Sequence, residues 1–233
     1  MMKNLLAIIL LLLSFESVAQ KQIKLKKKDL RKDVLLLTDS GSIVLRLSDS
    51  TPLHRNNFLM LVKQGYYDSV LFHRVIQYFM IQSGDPNSKQ AKKEDHLGNG
   101  GPSINIPAEF RVTLFHKRGA LAAARMGDDV NPKKESSGSQ FYIVQGKKFT
   151  AAGLDSVETY RLKGRKIPAA ERQVYETIGG SPHLDQNYTV FGEVVSGMEV
   201  VDRIAATQTR PEDNRPLDDA KIIKASLVKR KKS

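Results

Sequence analysis

Short runs in which apolar and polar residues alternate dominate the first part of the chain. Val34–Thr38 and Ile43–Leu47 are two such runs, and the polar, glycine-containing segment Asp39–Ser42 separates them. Alternation with a period of two residues is typical of strands that bury one face, and a short polar connection is typical of a hairpin. We therefore predict a β-hairpin over residues 34–47.

Two segments with apolar residues three and four positions apart predict helices. The first would begin at Thr51, which precedes Pro52 and is expected to cap the helix, and would end at Gly65. The second would follow Ser196, which together with Glu199 forms the pattern of a capping box. Two helices among many short strands indicate a single, mainly β domain.

Residues 72–85 read FHRVIQYFMIQSGD and place an arginine within two short apolar runs. Strand periodicity would put Phe72 and Arg74 on one face of the first run, and Met80 and Gln82 on one face of the second. The arginine is either a surface side chain at a sheet edge or part of a binding site, and its spacing alone favours neither interpretation.

This segment resembles the signature of the cyclophilins, which are peptidyl-prolyl cis/trans isomerases. Four further segments resemble cyclophilin sequences in the same order along the chain: Gly65–Asp68, Arg118–Ala124, Gly138–Ile143 and Thr189–Val194. One short match would mean little, but five collinear matches, spanning roughly Val34 to Val228, identify this part of the chain as similar to a cyclophilin.

The resemblance implies a fold. Cyclophilins are closed, eight-stranded antiparallel barrels with a helix over each end, so we expect such a barrel, capped by two helices, over residues 34–228. A closed barrel would also leave no exposed strand edge.

The chain has more residues between Phe149 and Pro182 than a minimal cyclophilin, so we expect an insertion at about 150–182. A short helix is predicted over Pro168–Ile178, because two glycines follow it. The insertion would be either a surface elaboration or a segment that shapes the pocket rim or holds a client protein.

The resemblance also implies an activity, rotation about X-Pro peptide bonds. Amide resonance opposes this rotation with a barrier of about 18 to 20 kcal/mol. As the bond twists, its nitrogen becomes a good hydrogen-bond acceptor, so a donor aimed at that nitrogen favours the twisted state. Arginine is suitable because it stays charged and its donors form a rigid fork. By the resemblance, the catalytic donor is Arg74.

Other positions that match the family pattern are expected to bind substrate. The apolar pocket for the proline ring would be formed by Phe79, Met80, Tyr142 and Leu184. The side-chain amides of Gln82 and Gln140 would hold the substrate backbone and steady the arginine. Ala124 and Arg125 would contact the residues beside the proline, largely through main-chain groups. Neither a metal nor a cofactor is expected.

The chain departs from the cyclophilin pattern at four site positions. His183 replaces a tryptophan, and Tyr188 replaces a common pocket histidine, which makes both candidates for the pocket rim. We expect weak binding of cyclosporin, because the tryptophan offers that drug a stacking wall and an indole donor. Arg125 stands where asparagine is frequent and Tyr142 where phenylalanine is usual. These two changes should alter substrate preference and leave turnover intact.

Residues 1–19 have the pattern of a secretory signal peptide, with Lys3, the apolar run Leu5–Leu13 and the small residues Ser17–Ala19. Nine consecutive apolar residues are too few for a membrane anchor, which needs about 20. We therefore expect cleavage before Gln20, no integral membrane segment afterwards, and export to the periplasm or secretion from the cell. The chain has no cysteine, so an oxidising compartment can form no disulfide in it.

The net charge of +12 is concentrated in two terminal segments. Residues 20–33, a basic N-terminal arm, hold seven Lys/Arg and two Asp, and the basic tail 229–233 holds four Lys/Arg, which leaves only three of the twelve net charges for the rest of the chain. This distribution argues against a nucleic-acid-binding domain. The basic segments are expected to be solvated, with weak contact to anionic surfaces as the lesser alternative.

Other catalytic classes fit the sequence poorly. The absence of cysteine excludes thiol chemistry, and the five histidines show no pair at i and i+4 that would indicate a zinc site. Two functions remain open. One is an exported prolyl isomerase, expected to be a monomer, that speeds the folding of exported proteins. The other is a cyclophilin-like chaperone or binding module that holds proline-containing segments with little turnover. The presence of Arg74 together with the pocket residues favours the isomerase.

Overall fold

The computed structural model describes residues 24–230. The predicted signal peptide and the last three residues of the basic tail lie outside the described residues. Within residues 24–230, no helix has the length and apolar character that crossing a membrane requires.

Eight strands and four α-helices make up the described part of the chain. The strands are β1 (Lys32–Thr38), β2 (Gly41–Leu47), β3 (Arg74–Ile76), β4 (Met80–Ser83), β5 (Ala120–Ala123), β6 (Phe141–Val144), β7 (Val190–Ser196) and β8 (Ile222–Lys229). The helices are α1 (Pro52–Lys63), α2 (Ala151–Tyr160), α3 (Ala169–Thr177) and α4 (Met198–Ala205). Three short 3-10 turns occupy Asp29–Arg31, Pro86–Gln90 and Pro182–Leu184.

All eight strands belong to one antiparallel sheet with the order β3-β4-β6-β5-β7-β2-β1-β8. The predicted hairpin is confirmed, since β1 pairs with β2 and Val34 lies opposite Leu45. β1 begins at Lys32, so the end of the basic arm is part of the sheet. The arm is also held by Lys63, whose ammonium group donates to buried Asp29 at 2.8 Å.

The sheet is open, so the prediction of a closed barrel is wrong. β3 and β8 form its two edges and are not neighbours in it. The chain before β3 nevertheless meets the start of β8, because Phe72 N–H donates to Ala220 O and Ile222 N–H donates to Val70 O, both at 2.8 Å. β3 is too short to extend this contact, and its Val75 N–H donates to the loop carbonyl of Asn214 at 2.9 Å. The result is a half-barrel whose open side is spanned by loop backbone.

The main core lies between one face of this sheet and the helices α1 and α4. Its strand residues include Leu36, Ile43, Leu45, Val75, Ile81, Leu121 and Ile143, and α1 and α4 contribute Phe58, Leu59, Val201 and Ile204. Phe72 also lies in this core, fully buried, and not on the face of Arg74 as predicted. The alternation fails at Phe72 because β3 begins only at Arg74.

The start of α1 is capped by a distant carboxylate. Thr51 occupies the N-cap position, but its hydroxyl caps no helical N–H, so the predicted capping role is wrong. Glu109 instead accepts from Leu53 N–H at 3.2 Å and from His54 N–H at 3.0 Å. The His54 ring also lies 2.7 Å from this carboxylate through Nδ1. Burial opposes the charge on Glu109, yet its hydrogen bonds with His54 and Leu53 lower its pKa overall.

The capping box predicted for α4 is absent. β7 continues to Ser196, and Gly197 then turns the chain with φ +94° before the helix begins. A side chain at Gly197 would approach Ser42 O to 2.2 Å, so this left-handed turn needs glycine. Ser196 is still part of the strand and cannot cap the helix.

Residues 150–182, which the sequence predicts to be an insertion and which we call the insertion, form a two-helix unit with its own small core. The predicted helix is confirmed as α3, whereas α2 was not predicted. Leu154, Leu162, Ile167 and Tyr175 are buried together, and Phe115 and Phe149 pack against them. Glu158 joins the two helices, because it accepts from Lys166 at 2.7 Å, from Ile167 N–H at 3.0 Å and from Arg172 at 2.8 Å. Hydrogen bonds from Lys166 and Ile167 are the main causes that lower the pKa of Glu158 to about 2.

Candidate active site

The β3–β4 hairpin separates core side chains from site side chains. Arg74 lies opposite Gln82 in the register, and Val75 lies opposite Ile81. Val75 and Ile81 point into the main core, so the alternation directs Arg74 and Gln82 to the outer face. A second apolar cluster covers that face and includes Met80, Ala122, Tyr142, Val144 and Val190.

A chain of side-chain amides holds Arg74. Arg74 Nη1 donates to Gln82 Oε1 at 3.3 Å, and Gln82 Nε2 donates to Gln140 Oε1 at 3.1 Å. Gln140 Nε2 in turn donates to the carbonyls of Gly98 and Gly100, both at 2.8 Å. Backbone carbonyls therefore fix the orientation of both amides and, through them, of the guanidinium.

Arg74 has donors to spare. Its side chain is half-buried, and this burial lowers its pKa from the ordinary arginine value, with Tyr188 opposing the shift. Within residues 24–230, the guanidinium has the hydrogen bond to Gln82 and no ion pair. An arginine carries five N–H donors, so most of them remain free for a ligand.

Nine of the eleven predicted site residues surround one cavity of about 180 Å³, and Gln140 and His183 do not. It is lined by Arg74, Phe79, Met80, Gln82, Ala124, Arg125, Tyr142, Leu184 and Tyr188. A second cavity of about 640 Å³ adjoins it, shares Gln82, Ala124 and Arg125 with it, and is lined also by Gln140. The arrangement is a small pocket that combines apolar side chains with the arginines Arg74 and Arg125, beside a larger groove.

Of the two residues whose main-chain groups are expected to bind substrate, Ala124 and Arg125, only Arg125 has those groups free among the described residues. Ala124 N–H donates to Gln140 O at 3.0 Å, and Ala124 O accepts from Ser137 N–H at 2.8 Å, so both groups of Ala124 are already paired. In the described part of the chain, the main-chain N–H and C=O of Arg125 have no hydrogen-bond partner. Arg125 can therefore offer one donor and one acceptor to an extended peptide.

The side chain of Arg125 builds the pocket wall. Its guanidinium lies over the ring of Tyr188 at 4.5 Å and donates through Nε to Asn187 O at 2.7 Å. Asp128 pairs with it at 2.7 Å. These contacts hold Tyr188, which lines the cavity.

His183 does not line the cavity itself. Its ring packs against that of Phe79 with a centroid distance of 5.5 Å, so it supports a pocket residue from behind. Burial, with smaller contributions from Arg161 and His116, lowers the pKa of His183 to about 4. The imidazole is therefore neutral at pH 7.

Residues 34–227 match the family model of cyclophilin-type peptidyl-prolyl cis-trans isomerases. The chain belongs to the cyclophilin family. It is accordingly a peptidyl-prolyl cis-trans isomerase by family.

Two bacterial relatives share more than a third of their aligned residues with this cyclophilin. A Staphylococcus aureus protein named as a peptidyl-prolyl cis-trans isomerase is 37% identical over 193 residues, which cover 81% of this chain and 88% of that protein. A Streptococcus pyogenes protein named as a bifunctional phosphatase/peptidyl-prolyl cis-trans isomerase is 38% identical over 195 residues. The match covers 81% of this chain and only 37% of the streptococcal protein.

Solved cyclophilin structures share the fold. A cyclophilin-type isomerase of Cryptosporidium parvum superposes with a TM-score of 0.62 at 24% identity, over 86% of this chain and 99% of that one. A structure of the same protein in the presence of the dipeptide Ala-Pro gives a TM-score of 0.61 over 84% of this chain and 98% of that one. At this identity the comparison shows the fold alone.

Sequence reasoning missed three buried polar residues behind the pocket of this cyclophilin. They are His116, Tyr175 and Asp185, and they form a hydrogen-bonded chain that ends at the hydroxyl of Tyr142. His116 and Asp185 are 69 positions apart, so no local pattern relates them. The only signal at Tyr142 was its hydroxyl, which a pocket-wall phenylalanine would lack.

Proposed function

We propose that this cyclophilin catalyses rotation about X-Pro bonds with Arg74 as the donor to the proline nitrogen. The observation that carries the proposal is the half-buried guanidinium of Arg74, which has one hydrogen bond and, among residues 24–230, no ion pair, and which lies in the wall of a cavity beside Phe79, Met80 and Leu184. The proline ring would occupy that cavity against Phe79, Met80 and Leu184. A C. parvum cyclophilin studied in the presence of Ala-Pro supports this class of ligand for the site.

Catalysis would come from an interaction that strengthens as the bond twists. The planar amide nitrogen accepts a hydrogen bond poorly, while the twisted nitrogen accepts one well, so Arg74 would bind the transition state more tightly than either isomer. Uncatalysed isomerisation takes about 10 to 100 s, so turnover at tens to thousands per second needs a lowering of the barrier by roughly 3 to 7 kcal/mol. One charge-assisted hydrogen bond would supply about 1.5 to 3 kcal/mol of this. Orientation and water exclusion in the cavity would supply the rest.

The neighbouring groups would hold the peptide while the bond turns. Gln82 and Gln140 keep Arg74 in place, and the free main-chain N–H and C=O of Arg125 would pair with the substrate backbone. The cavity beside Gln140 would take the residues that precede the proline. The proposed substrate is thus an extended, proline-containing polypeptide.

We further propose that the substrates are exported proteins during folding. Support comes from the signal-peptide pattern of residues 1–19 and from the absence of cysteine, which makes the chain indifferent to an oxidising compartment. Isomerisation also needs no ATP. Mass spectrometry of the protein from fractionated cells tests this proposal. A mature N-terminus at Gln20 in the exported fraction is expected, and an uncleaved chain in the cytoplasm would contradict it.

An exchange measurement distinguishes an isomerase from a binding module. Exchange NMR on a proline-containing tetrapeptide gives both the rate of cis/trans interconversion and the affinity for the protein. We expect peptide bound to the wild-type protein to interconvert at least ~10²-fold faster than free peptide, so that catalytic amounts of protein measurably accelerate exchange. Binding of the peptide without acceleration would overturn the proposal in favour of a chaperone-like module.

A further inference from the structure

Four buried side chains connect the insertion to the wall of the proline pocket. Tyr175 on α3 donates its hydroxyl proton to Asp185 Oδ2 at 2.6 Å. The other carboxylate oxygen of Asp185 lies 2.8 Å from Nδ1 of His116. Nε2 of His116 lies 3.0 Å from the hydroxyl oxygen of Tyr142, which lines the pocket. All four residues are at least 96% buried.

The chain of hydrogen bonds has one consistent direction. A carboxylate only accepts hydrogen bonds, so Tyr175 Oη–H and His116 Nδ1–H both donate to Asp185. With that tautomer of a neutral imidazole, Nε2 is an acceptor, and the Tyr142 hydroxyl donates to it. Burial raises the pKa of both phenols, so Tyr142 and Tyr175 keep their protons at neutral pH. The ring of Tyr142 is therefore fixed by a directed bond as well as by packing.

The insertion holds Asp185 at two points. Tyr175 binds its carboxylate, and Arg165 Nη2 donates to its main-chain carbonyl at 2.7 Å. Asp185 directly follows Leu184, which lines the pocket, and it also accepts from His116 N–H at 2.8 Å. Both Tyr142 and Leu184 thus depend on a residue that is anchored from the insertion.

We propose that Tyr175, Asp185 and His116 are positioning residues that set the width of the proline pocket through Tyr142. The insertion would then tune how tightly this cyclophilin binds its proline substrates. None of the three residues lines the cavity, so they act only through the wall. This inference rests on the proposed function. The donor Arg74 is held separately by Gln82. Loss of the hydrogen bonds that run from Tyr175 to Tyr142 should therefore raise KM and leave kcat nearly unchanged.

The variant Tyr175→Phe tests the proposal with the smallest change. It removes the hydroxyl at the start of the chain and keeps the aromatic ring in the insertion core. We expect KM for a proline tetrapeptide to rise about 3-fold to 10-fold, the range that corresponds to one buried hydrogen bond, with kcat within about twofold of wild type. An unchanged KM would overturn the proposal. If Tyr175→Phe does not fold, Asp185→Asn interrupts the same series of hydrogen bonds, and the same changes in KM and kcat are expected.

Glu158→Gln is the matched control for general loosening of the insertion. Glu158 joins α2 to α3 but makes no contact with the hydrogen-bonded chain. We expect this variant to lower Tm and to keep the wild-type KM. A rise in KM equal to that of Tyr175→Phe would show that any weakening of the insertion widens the pocket, and it would overturn the specific role of the chain.

A double-variant cycle with Tyr142→Phe tests whether the effect passes through the hydroxyl of Tyr142. If it does, Tyr175→Phe should change KM by less than about 1.5-fold when Tyr142→Phe is already present, because the coupled partner is gone. Multiplicative effects of the two substitutions on KM would contradict the proposal.

The activity of Arg74→Ala, measured in the same assay, separates this proposal from the proposed function. A wild-type kcat in Arg74→Ala would contradict the proposed role of Arg74. The comparison of KM between Tyr175→Phe and wild type would still be valid, so failure of the proposed function and failure of this inference can be distinguished.

Discussion

Arg74 and Gln82 stand directly opposite each other in the β3–β4 pair, and Nη1 of the arginine donates to Oε1 of the glutamine at 3.3 Å. Gln82 is oriented in turn by Gln140, which is anchored to the carbonyls of Gly98 and Gly100. The guanidinium of Arg74 is therefore aligned by neutral side-chain amides and by backbone carbonyls. A carboxylate partner would have competed with the substrate for the same donors, and the amide leaves them available.

Gln140→Leu should lower kcat about tenfold while the protein stays folded. The change removes the group that orients Gln82, so Arg74 loses its alignment, a loss of about 1 to 1.5 kcal/mol. Gln145→Leu is the matched control, because Gln145 is as buried as Gln140 and lies at the other end of β6, but belongs to a different hydrogen-bonded group. We expect kcat within about twofold of wild type for the control. Equal losses in steady-state kinetics of both variants would contradict the orienting role of Gln140.

Cyclosporin should bind weakly, and His183→Trp should strengthen the binding. The ring of His183 is packed against Phe79 and does not line the cavity, so the wild-type protein offers the drug neither a broad stacking wall nor an indole donor. Isothermal titration calorimetry of both proteins checks the prediction. A tight wild-type complex, or no gain in the variant, would show that position 183 does not control the affinity.

Glu158→Gln should destabilise the protein by about 1 to 3 kcal/mol at pH 7, because it removes the negative charge that pairs with Lys166 and Arg172 and one of the two carboxylate acceptors. The folded carboxyl has a pKa of about 2 against an ordinary value of 4.5. A lowered folded pKa gives a stabilisation that is complete above pH 4.5 and is lost as the pH falls towards 2. Urea unfolding between pH 7 and pH 3 should show the gap between wild type and variant narrowing below pH 4.5. A gap that stays constant with pH would be contrary to this account.

Glu109→Gln should cost more stability than Thr51→Val. The carboxylate caps the first turn of α1 and pairs with the His54 ring, whereas the threonine hydroxyl caps nothing in the helix. We expect a loss of about 1 to 2 kcal/mol for the glutamate variant and a smaller loss for the valine variant. Chemical denaturation of both variants measures the difference, and the reverse ranking would restore Thr51 as the cap.

The parts of the fold with local signals could be predicted from the sequence. Alternation over residues 34–47 predicts β1 and β2, and the two glycines after Ile178 predict the end of α3. Predictions failed where distant groups decide the local structure. Threonine is a common N-cap residue, but the first turn of α1 beside Thr51 is capped by Glu109, which lies in the loop before β5. The barrel stays open because the backbone of β3 pairs with a loop near Asn214.

The candidate site shows the same division. Residues of the 72–85 segment and those near residues 124, 140 and 184 come together around one cavity, which family resemblance had led us to expect. Their roles as donor, pocket and clamp stay predictions. The chain from Tyr175 to Tyr142 could not be predicted, because its members come from β6, from the loop before β5, from α3 and from the turn after it. Only the packing of the insertion against the half-barrel brings them together.

The most direct test is the rate of catalysed cis/trans exchange in a proline tetrapeptide, measured by NMR for wild type and Arg74→Ala at equal fractional binding. The account predicts that the catalysed exchange rate falls about 10-fold to 100-fold, as expected for loss of one charge-assisted hydrogen bond in the transition state. Peptide affinity and Tm should change little, and Arg74→Lys should recover part of the rate because it restores charge without the fork. An Arg74→Ala protein that is folded, binds the peptide and still exchanges it within about threefold of the wild-type rate would contradict the account.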